Sequence, residues 1–314
     1  MGPFENLVLI KSTTRLERLK SRFNTLDNAQ FYLKRKKQEQ RFHDLKSEDY
    51  NIRKAIEDLH KRLQGLANIK VLDKHYLPNY LFSQKDLILV VGQDGLVANT
   101  AKYADEIPII GINPDPDRFD GVLLPFTVNT AIHKVRTLLS GGGSPASTVT
   151  MAEAKLDDGQ RLLAFNDLFI GPKRHSSARY ILEYNGQKEA QSSSGIIVST
   201  GAGSTGWMSS LINMANGISG AFGQNHSAQK IHNHQLSWDA RHLLFAVREP
   251  FLSKTSSINI TAGGIDMHQN LRLESQMSNQ GVIFSDGIQD DFLEFTSGRI
   301  ASIGIAKEKA ILIQ

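Results

Sequence analysis

Residues 87–91, Leu-Ile-Leu-Val-Val, run without a polar interruption into Gly92-Gln93-Asp94-Gly95. An apolar run closed by glycines reads as a buried strand that ends in a turn. It has companions: LVLIKST at 7–13, IKVLD at 69–73 and IPIIGIN at 107–113 are further strand candidates. A polar helical segment starts at Arg15, and 30–67 reads mostly as helix, with Ile52, Ile56, Leu59 and Leu63 on one face. Strands alternating with helical connections predict an α/β domain with a largely parallel sheet. Ligands of such sheets sit beyond the carboxyl ends of the strands, where Gly92–Gly95 and Asn113 both fall.

That pattern stops at LSGGGSP, 139–145, where three glycines and a proline break any helix. Beyond it, short segments such as SARYILEYNG, GIIVST, LLFAVREP and GVIFSDG are separated by Gly, Asn, Ser and Pro, the spacing of an antiparallel β domain. The ending IASIGIAKEKAILI reads as a final strand pair or as a return to the first domain. At 314 residues the chain is too long for one small core and suits two domains, 1–135 and 145–289. No internal repeat is visible.

Composition narrows the class. A hydrophobic content of 40% with 22% charged residues is that of a globular protein. No apolar run is long enough to span a bilayer, so no membrane partner is expected. The start, MGPFENLVLIKSTTR, shows neither a secretory signal nor an Arg-rich transit peptide. With no cysteine there is no disulfide and no thiolate chemistry, which fits a reducing cytoplasm. Residues 11–62 hold 15 Lys/Arg against 8 Asp/Glu, although the whole chain carries only +4. The densest run is Lys34-Arg35-Lys36-Lys37, then Arg41. Interleaved acids and the lack of an aromatic stacking pattern favour a solvated helical face over a nucleic-acid surface.

Four motifs bear on chemistry. The Gly92–Gly95 turn, between a strand and a helix, points backbone N–H groups at whatever lies above the sheet, as phosphate sites do. A carboxylate there repels phosphate unless a metal bridges it or it takes a proton from an attacking hydroxyl; otherwise it is a plain turn acid. Gly201-Ala-Gly-Ser-Thr-Gly206 satisfies the dinucleotide fingerprint G-x-G-x-x-G, but no acid follows at the ribose-binding distance, the next being Asp239. Its Ser204 and Thr205 favour a loop with hydroxyl contacts to a ligand over tight helix–strand packing. Asn166-Asp167, set between apolar neighbours, either cap a neighbouring loop or grip ligand hydroxyls or a base edge. His226 and His232-Asn-His234 could bind zinc, yet no further ligands are evident and a polar loop is the favoured reading.

The order of these motifs is more specific than any one of them. VVGQDG (90–95), IIGINPDPDRFDG (109–121), FNDLFIG (165–171), SSGIIVSTGAGSTGW (193–207), VREP (247–250), GVIFSDG (281–287) and GRIASIGI (298–305) resemble the NAD kinase family, most closely its mitochondrial-type branch and bacterial relatives. The resemblance implies a Rossmann-like three-layer α/β domain with a mostly parallel sheet, an all-β sandwich as second domain, and a chain end, 290–314, that rejoins the first. It implies phosphoryl transfer from ATP to the adenosine-ribose 2′-hydroxyl of NAD, with magnesium carried by ATP. It implies Asp94 as base, Gly92, Gln93, Gly95, Gly203 and Ser204 on phosphate or ATP, and Asn113, Asn166, Asp167, Ser194, Thr205, Gly206 and Trp207 on NAD. No metal ligand is assigned, and a homodimer or higher homo-oligomer is expected.

The sequence departs from the family pattern at Gln93, where GGDG has its second glycine, and at Leu96, where a threonine is usual. Ser194 replaces a common Asp, and Pro114 replaces a more usual Thr. A Cβ at 93 restricts φ and adds bulk where a phosphate needs close approach. Two rivals to the kinase therefore stand: a nucleotide-binding relative without phosphoryl transfer, and a kinase of a sugar or lipid alcohol.

Overall fold

The computed structural model describes residues 3–222 and 235–314, without the side chains of 289 and 290, so the histidines at 226, 232 and 234 lie outside the described residues. The chain forms two compact units, 1–147 with 311–314, and 148–310.

In the first unit β1 (Asn6–Lys11) leads to α1 (Arg15–Phe23), α2 (Leu26–Arg35) and α3 (Glu39–Leu63), then β2 (Asn68–Asp73), β3 (Asp86–Val91), α4 (Asp94–Ala101), β4 (Pro108–Ile112) and α5 (Val128–Leu139). The strands lie parallel in the order β2-β1-β3-β4. Every residue of β3 is buried, as expected for a strand with elements on both faces. Leu7, Leu9, Leu87, Leu89 and Val91 meet Ala55, Leu59 and Leu63 of α3 and Ala131, Ile132 and Val135 of α5. Thr14 starts α1 with a capping box: its hydroxyl accepts from the Glu17 N–H, and the Glu17 carboxylate accepts from the Thr14 N–H.

The second unit consists of β5 (Ala146–Leu156, its first residues still in the first unit), β6 (Arg161–Ala164), β7 (Asp167–Pro172), β8 (Ala178–Tyr184), β9 (Gln187–Ser193), β10 (Ile196–Ser199), α6 (Trp207–Phe222), β11 (Leu243–Val247), β12 (Ala262–Ile265), β13 (Leu271–Ser275), β14 (Gly281–Ser285), β15 (Ile288–Glu294) and β16 (Ile300–Ile313). One antiparallel sheet runs β12-β11-β10-β7-β14-β15 and the other β6-β5-β16-β13-β8-β9. Alternate residues of both, Ile196 and Val198 from one and Tyr180 and Leu182 from the other, enter a single core, which makes this unit a sandwich. β10 is apolar on both faces because Ile197, pointing outward with Phe169, is covered by Trp207, Met208 and Leu211 of α6.

The chain end is one 14-residue strand, not a pair. β16 pairs with β13 through Ile300–Ile303, and only Ile311 and Leu312 pair with β4. Of the 290–314 expected to rejoin the first domain, 311–314 do so. Among the described residues no helix is long and apolar enough to cross a membrane.

Candidate functional site

In the first unit the site begins where β3 ends. Gly92 is buried, Gln93 and Gly95 are exposed, and Asp94 between them is half-buried in the first turn of α4. The Asp94 carboxylate accepts a hydrogen bond at 2.7 Å from the Leu123 N–H, which fixes its orientation and leaves its second oxygen without a donor among the described residues. Gln93 precedes the helix at φ −114° and ψ 162°, ordinary extended backbone, and its side chain makes no capping bond. The restriction expected from a Cβ at 93 therefore costs nothing here: the local conformation is one that any residue adopts. Leu96, in place of the family's threonine, is buried, and its Cδ2 lies 3.1 Å from where a Cβ on Gly92 would be. Nothing lies within 4 Å of a Cβ built on Gly95. The exposed face of this turn is thus backbone, Gly95, the uncapped Gln93 side chain and one carboxylate.

Asn113 follows β4 at the same end of the sheet, but its amide is already engaged. Its Oδ1 accepts from the Asp115 N–H at 3.0 Å, and its Nδ2 donates to the Phe119 carbonyl at 2.9 Å. It is 6% exposed, and in this conformation it organises the 113–121 loop.

In the second unit the Phe165–Asp167 turn between β6 and β7 is held by a residue absent from the sequence-level site, Asp286. Its carboxylate accepts from the N–H groups of Asn166 (2.6 Å), Phe165 (3.1 Å) and Asp167 (3.3 Å). Asp286 can reach because it sits in the β14–β15 hairpin with φ +54°, followed by Gly287 at φ +70°, the two positive values of a tight hairpin turn. The Asp-Gly pair within GVIFSDG was the available signal. The opposite outcome holds for the side chains of the Asn166-Asp167 pair. They cap no loop: the Asn166 amide has no hydrogen bond among the described residues, and Asp167 Oδ1 is buried without a donor. Burial raises the Asp167 carboxyl to about 7; the Ser199 hydroxyl bond opposes the shift, and the nearby Asp286 charge adds to it.

The glycine-rich loop packs against this turn. A Cβ on Gly203 would lie 2.3 Å from the Asn166 carbonyl oxygen, and one on Gly201 would lie 1.9 Å from that of Ser237. Thr200 donates its N–H to the Asn166 carbonyl at 2.9 Å and its hydroxyl to the Phe165 carbonyl at 2.6 Å. The glycines thus permit tight backbone packing, where hydroxyl contacts to a ligand were expected to dominate. Ser204 is likewise turned inward, donating to the Gly201 carbonyl at 2.7 Å and accepting from the Leu236 N–H at 3.3 Å. Thr205 and Gly206 remain exposed, at the start of α6.

A cavity of about 1110 Å³ opens in this unit, with Ser194 and Trp207 in its wall. Trp207 stacks on Phe169 at 5.9 Å and 5°, and the Arg248 guanidinium lies 5.6 Å from the Trp207 ring centre. Lys173 lies 4.3 Å from the Phe292 ring. Flat apolar faces bordered by cations suit a ligand with aromatic rings and phosphates. The structure therefore brings Asn166, Asp167, Gly203 and Ser204 together through backbone packing, and Ser194 and Trp207 into one cavity. Gly92, Gln93, Asp94, Gly95 and Asn113 lie in the other unit. Among the described residues no group of three or more His, Asp or Glu side chains is placed to hold a metal ion.

No protein-family model matches the chain. NAD kinase 2, mitochondrial, of Rattus norvegicus is 30% identical over a match that covers 39% of this chain and 39% of that protein's length. Among solved structures, yeast NADH kinase complexed with NADH aligns at a TM-score of 0.62 and 13% identity, over 100% of this chain and 84% of that one. An NAD kinase from Archaeoglobus fulgidus in complex with ATP aligns at 0.54 and 14%, over 99% and 94%. The chain resembles the NAD kinase family in sequence and has the fold of these two kinases.

Proposed function

We propose that this chain is a phosphotransferase that uses ATP to phosphorylate the adenosine-ribose 2′-hydroxyl of NAD, giving NADP. The observation that carries the reading is Asp94: a half-exposed carboxylate at the end of β3, oriented by one backbone N–H, with its second oxygen open to a proton donor. In the reaction that oxygen takes the proton of the 2′-hydroxyl as the hydroxyl oxygen bonds to the γ-phosphorus. The bond from the γ-phosphorus to the bridging oxygen breaks and ADP leaves. The exposed turn at Gln93–Gly95 offers backbone approach to the phosphates. Magnesium, arriving with ATP, neutralises charge on the phosphates. Asp167 Oδ1 and the Asn166 amide, lacking partners of their own, are suited to ribose hydroxyls of NAD.

A nucleotide-binding relative without phosphoryl transfer is the second reading, and Leu96 favours it: its buried side chain leaves the turn without the hydroxyl that usually follows the motif. The deciding measurement is NADP formation from NAD and Mg-ATP by the parent chain and by Asp94→Asn. The kinase reading expects product from the parent and a kcat on the order of 100-fold or more lower in the variant, with NAD binding retained. Absence of NADP with intact NAD binding would establish the second reading, and absence of NAD binding would exclude both.

A further inference from the structure

The basic stretch at 11–62 folds into α1, α2 and α3, which share a small core of Leu16, Ala29, Leu33, Phe42 and Leu45. Beside that core lies a cavity of about 600 Å³, far larger than a water site and within the range of small-molecule pockets. Its wall holds Arg18, Arg22, Lys36 and Arg41, and no carboxylate. None of these four cations has an ion pair among the described residues; Arg41 reaches only Gln38, at 3.2 Å. The acids that pair on these helices reach other cations than these four. Glu48 pairs with Arg15, which also lines the cavity, while Glu17 and Asp49 pair with Arg53 outside it. Phe23 and Tyr32 form a ring pair at 4.8 Å in the same wall, and the Arg22 guanidinium lies 5.5 Å from the Phe23 ring centre.

A solvated helical face would intersperse acids among its cations. Here four unneutralised cations converge on one concavity, an arrangement that repels itself until an anion enters. Three of the four are arginines, whose planar forks suit phosphate oxygens. We propose that this cavity is a second ligand site, separate from the Asp94 turn, for a small oligophosphate anion. Such an anion is supplied by a nucleotide, whose base would lie on Tyr32 and Phe23, or by inorganic oligophosphate.

The test is calorimetric titration of the full chain at low ionic strength with sodium tripolyphosphate, and separately with ATP. Two charge-matched double variants are compared, Arg22→Gln/Arg41→Gln in the cavity and Lys54→Gln/Lys61→Gln on α3 outside it, each checked for a parental circular dichroism spectrum. The expected result is tripolyphosphate binding that weakens at least about tenfold in the cavity variant and less than about twofold in the other. ATP binding tighter than tripolyphosphate, with the difference lost in Tyr32→Ala, assigns the nucleotide; equal binding assigns the inorganic anion. Equal losses in the two double variants, or no site lost with the cavity arginines, would overturn the proposal. So would displacement of tripolyphosphate by a single-stranded oligonucleotide with a much steeper salt dependence, which would make the surface a nucleic-acid one.

Discussion

Asp94 and Asp167 are both carboxylates next to glycine-rich loops, but their surroundings set them to different work. Asp94 is half-exposed and held by one N–H, whereas Asp167 is enclosed and one of its oxygens meets no donor. In the unfolded chain Asp167 titrates near the ordinary value of about 4; in the fold it titrates at about 7. Between those values the native state keeps a proton that the unfolded state has lost, so stability falls as pH rises from about 4 through 7. Asp167→Asn removes that loss. The variant should show a flatter profile of urea midpoint against pH from 5 to 8 and be more stable than the parent at pH 8. The gain should be roughly 1–3 kcal/mol, less than the full shift implies because the residue keeps some contact with water. A parental profile that is flat over that range, or one that the substitution leaves unchanged, would show that Asp167 is not the titrating group. The Asn-Asp pair was visible in the sequence as a costly placement and the Asp-Gly of GVIFSDG as a turn, but nothing in the chain tied one to the other, because Asp286 meets the Asn166 turn only once β14 pairs with β7.

Glycine-rich loops that look alike as strings part company at the level of elements. In the G-x-G-x-x-G segment the glycines at 201 and 203 exist because backbone from Ser237 and Asn166 occupies the space a Cβ would need. At Gly95 the space is open, and the residue lies in the first turn of α4. Gly203→Ala should therefore destabilise the second unit by about 2 kcal/mol or more, through a clash with main chain that cannot yield cheaply. Gly95→Ala should leave stability equal or raise it by up to about 1 kcal/mol, since alanine favours helix, while raising the KM for ATP if phosphates approach that turn. Thermal unfolding of the two variants beside the parent checks the contrast, and equal destabilisation would sink it. Strand and helix types at β1, β3, β4 and α3 were legible from apolar runs and periodicity because local burial dictates them. Close approach between distant segments is not local, so the sequence could mark the glycines but not say that they serve packing; Ser204 looked like a ligand contact for the same reason.

At the scale of the whole chain the least legible feature was β16. Its sequence read either as a strand pair or as a return to the first domain, yet it is one strand of 14 residues. Its beginning belongs to the second unit, but Ile313 is 5% exposed in the core of the first, among Leu7, Val91 and Ile132. Truncating that one side chain should then act on the first unit. Ile313→Ala is expected to cost about 2–4 kcal/mol by losing buried methyl groups and leaving a cavity. The two units differ in optical signature: both tryptophans, Trp207 and Trp238, lie in the second, and five of the six described α-helices, α1 to α5, lie in the first, with α6 in the second. In urea, the ellipticity at 222 nm should move to lower denaturant in the variant by more than tryptophan emission does. Equal shifts would mean that the units unfold as one cooperative body, with β16 transmitting the loss. A shift confined to tryptophan emission would show that Ile313 supports the second unit and that the division of the two cores drawn above is wrong.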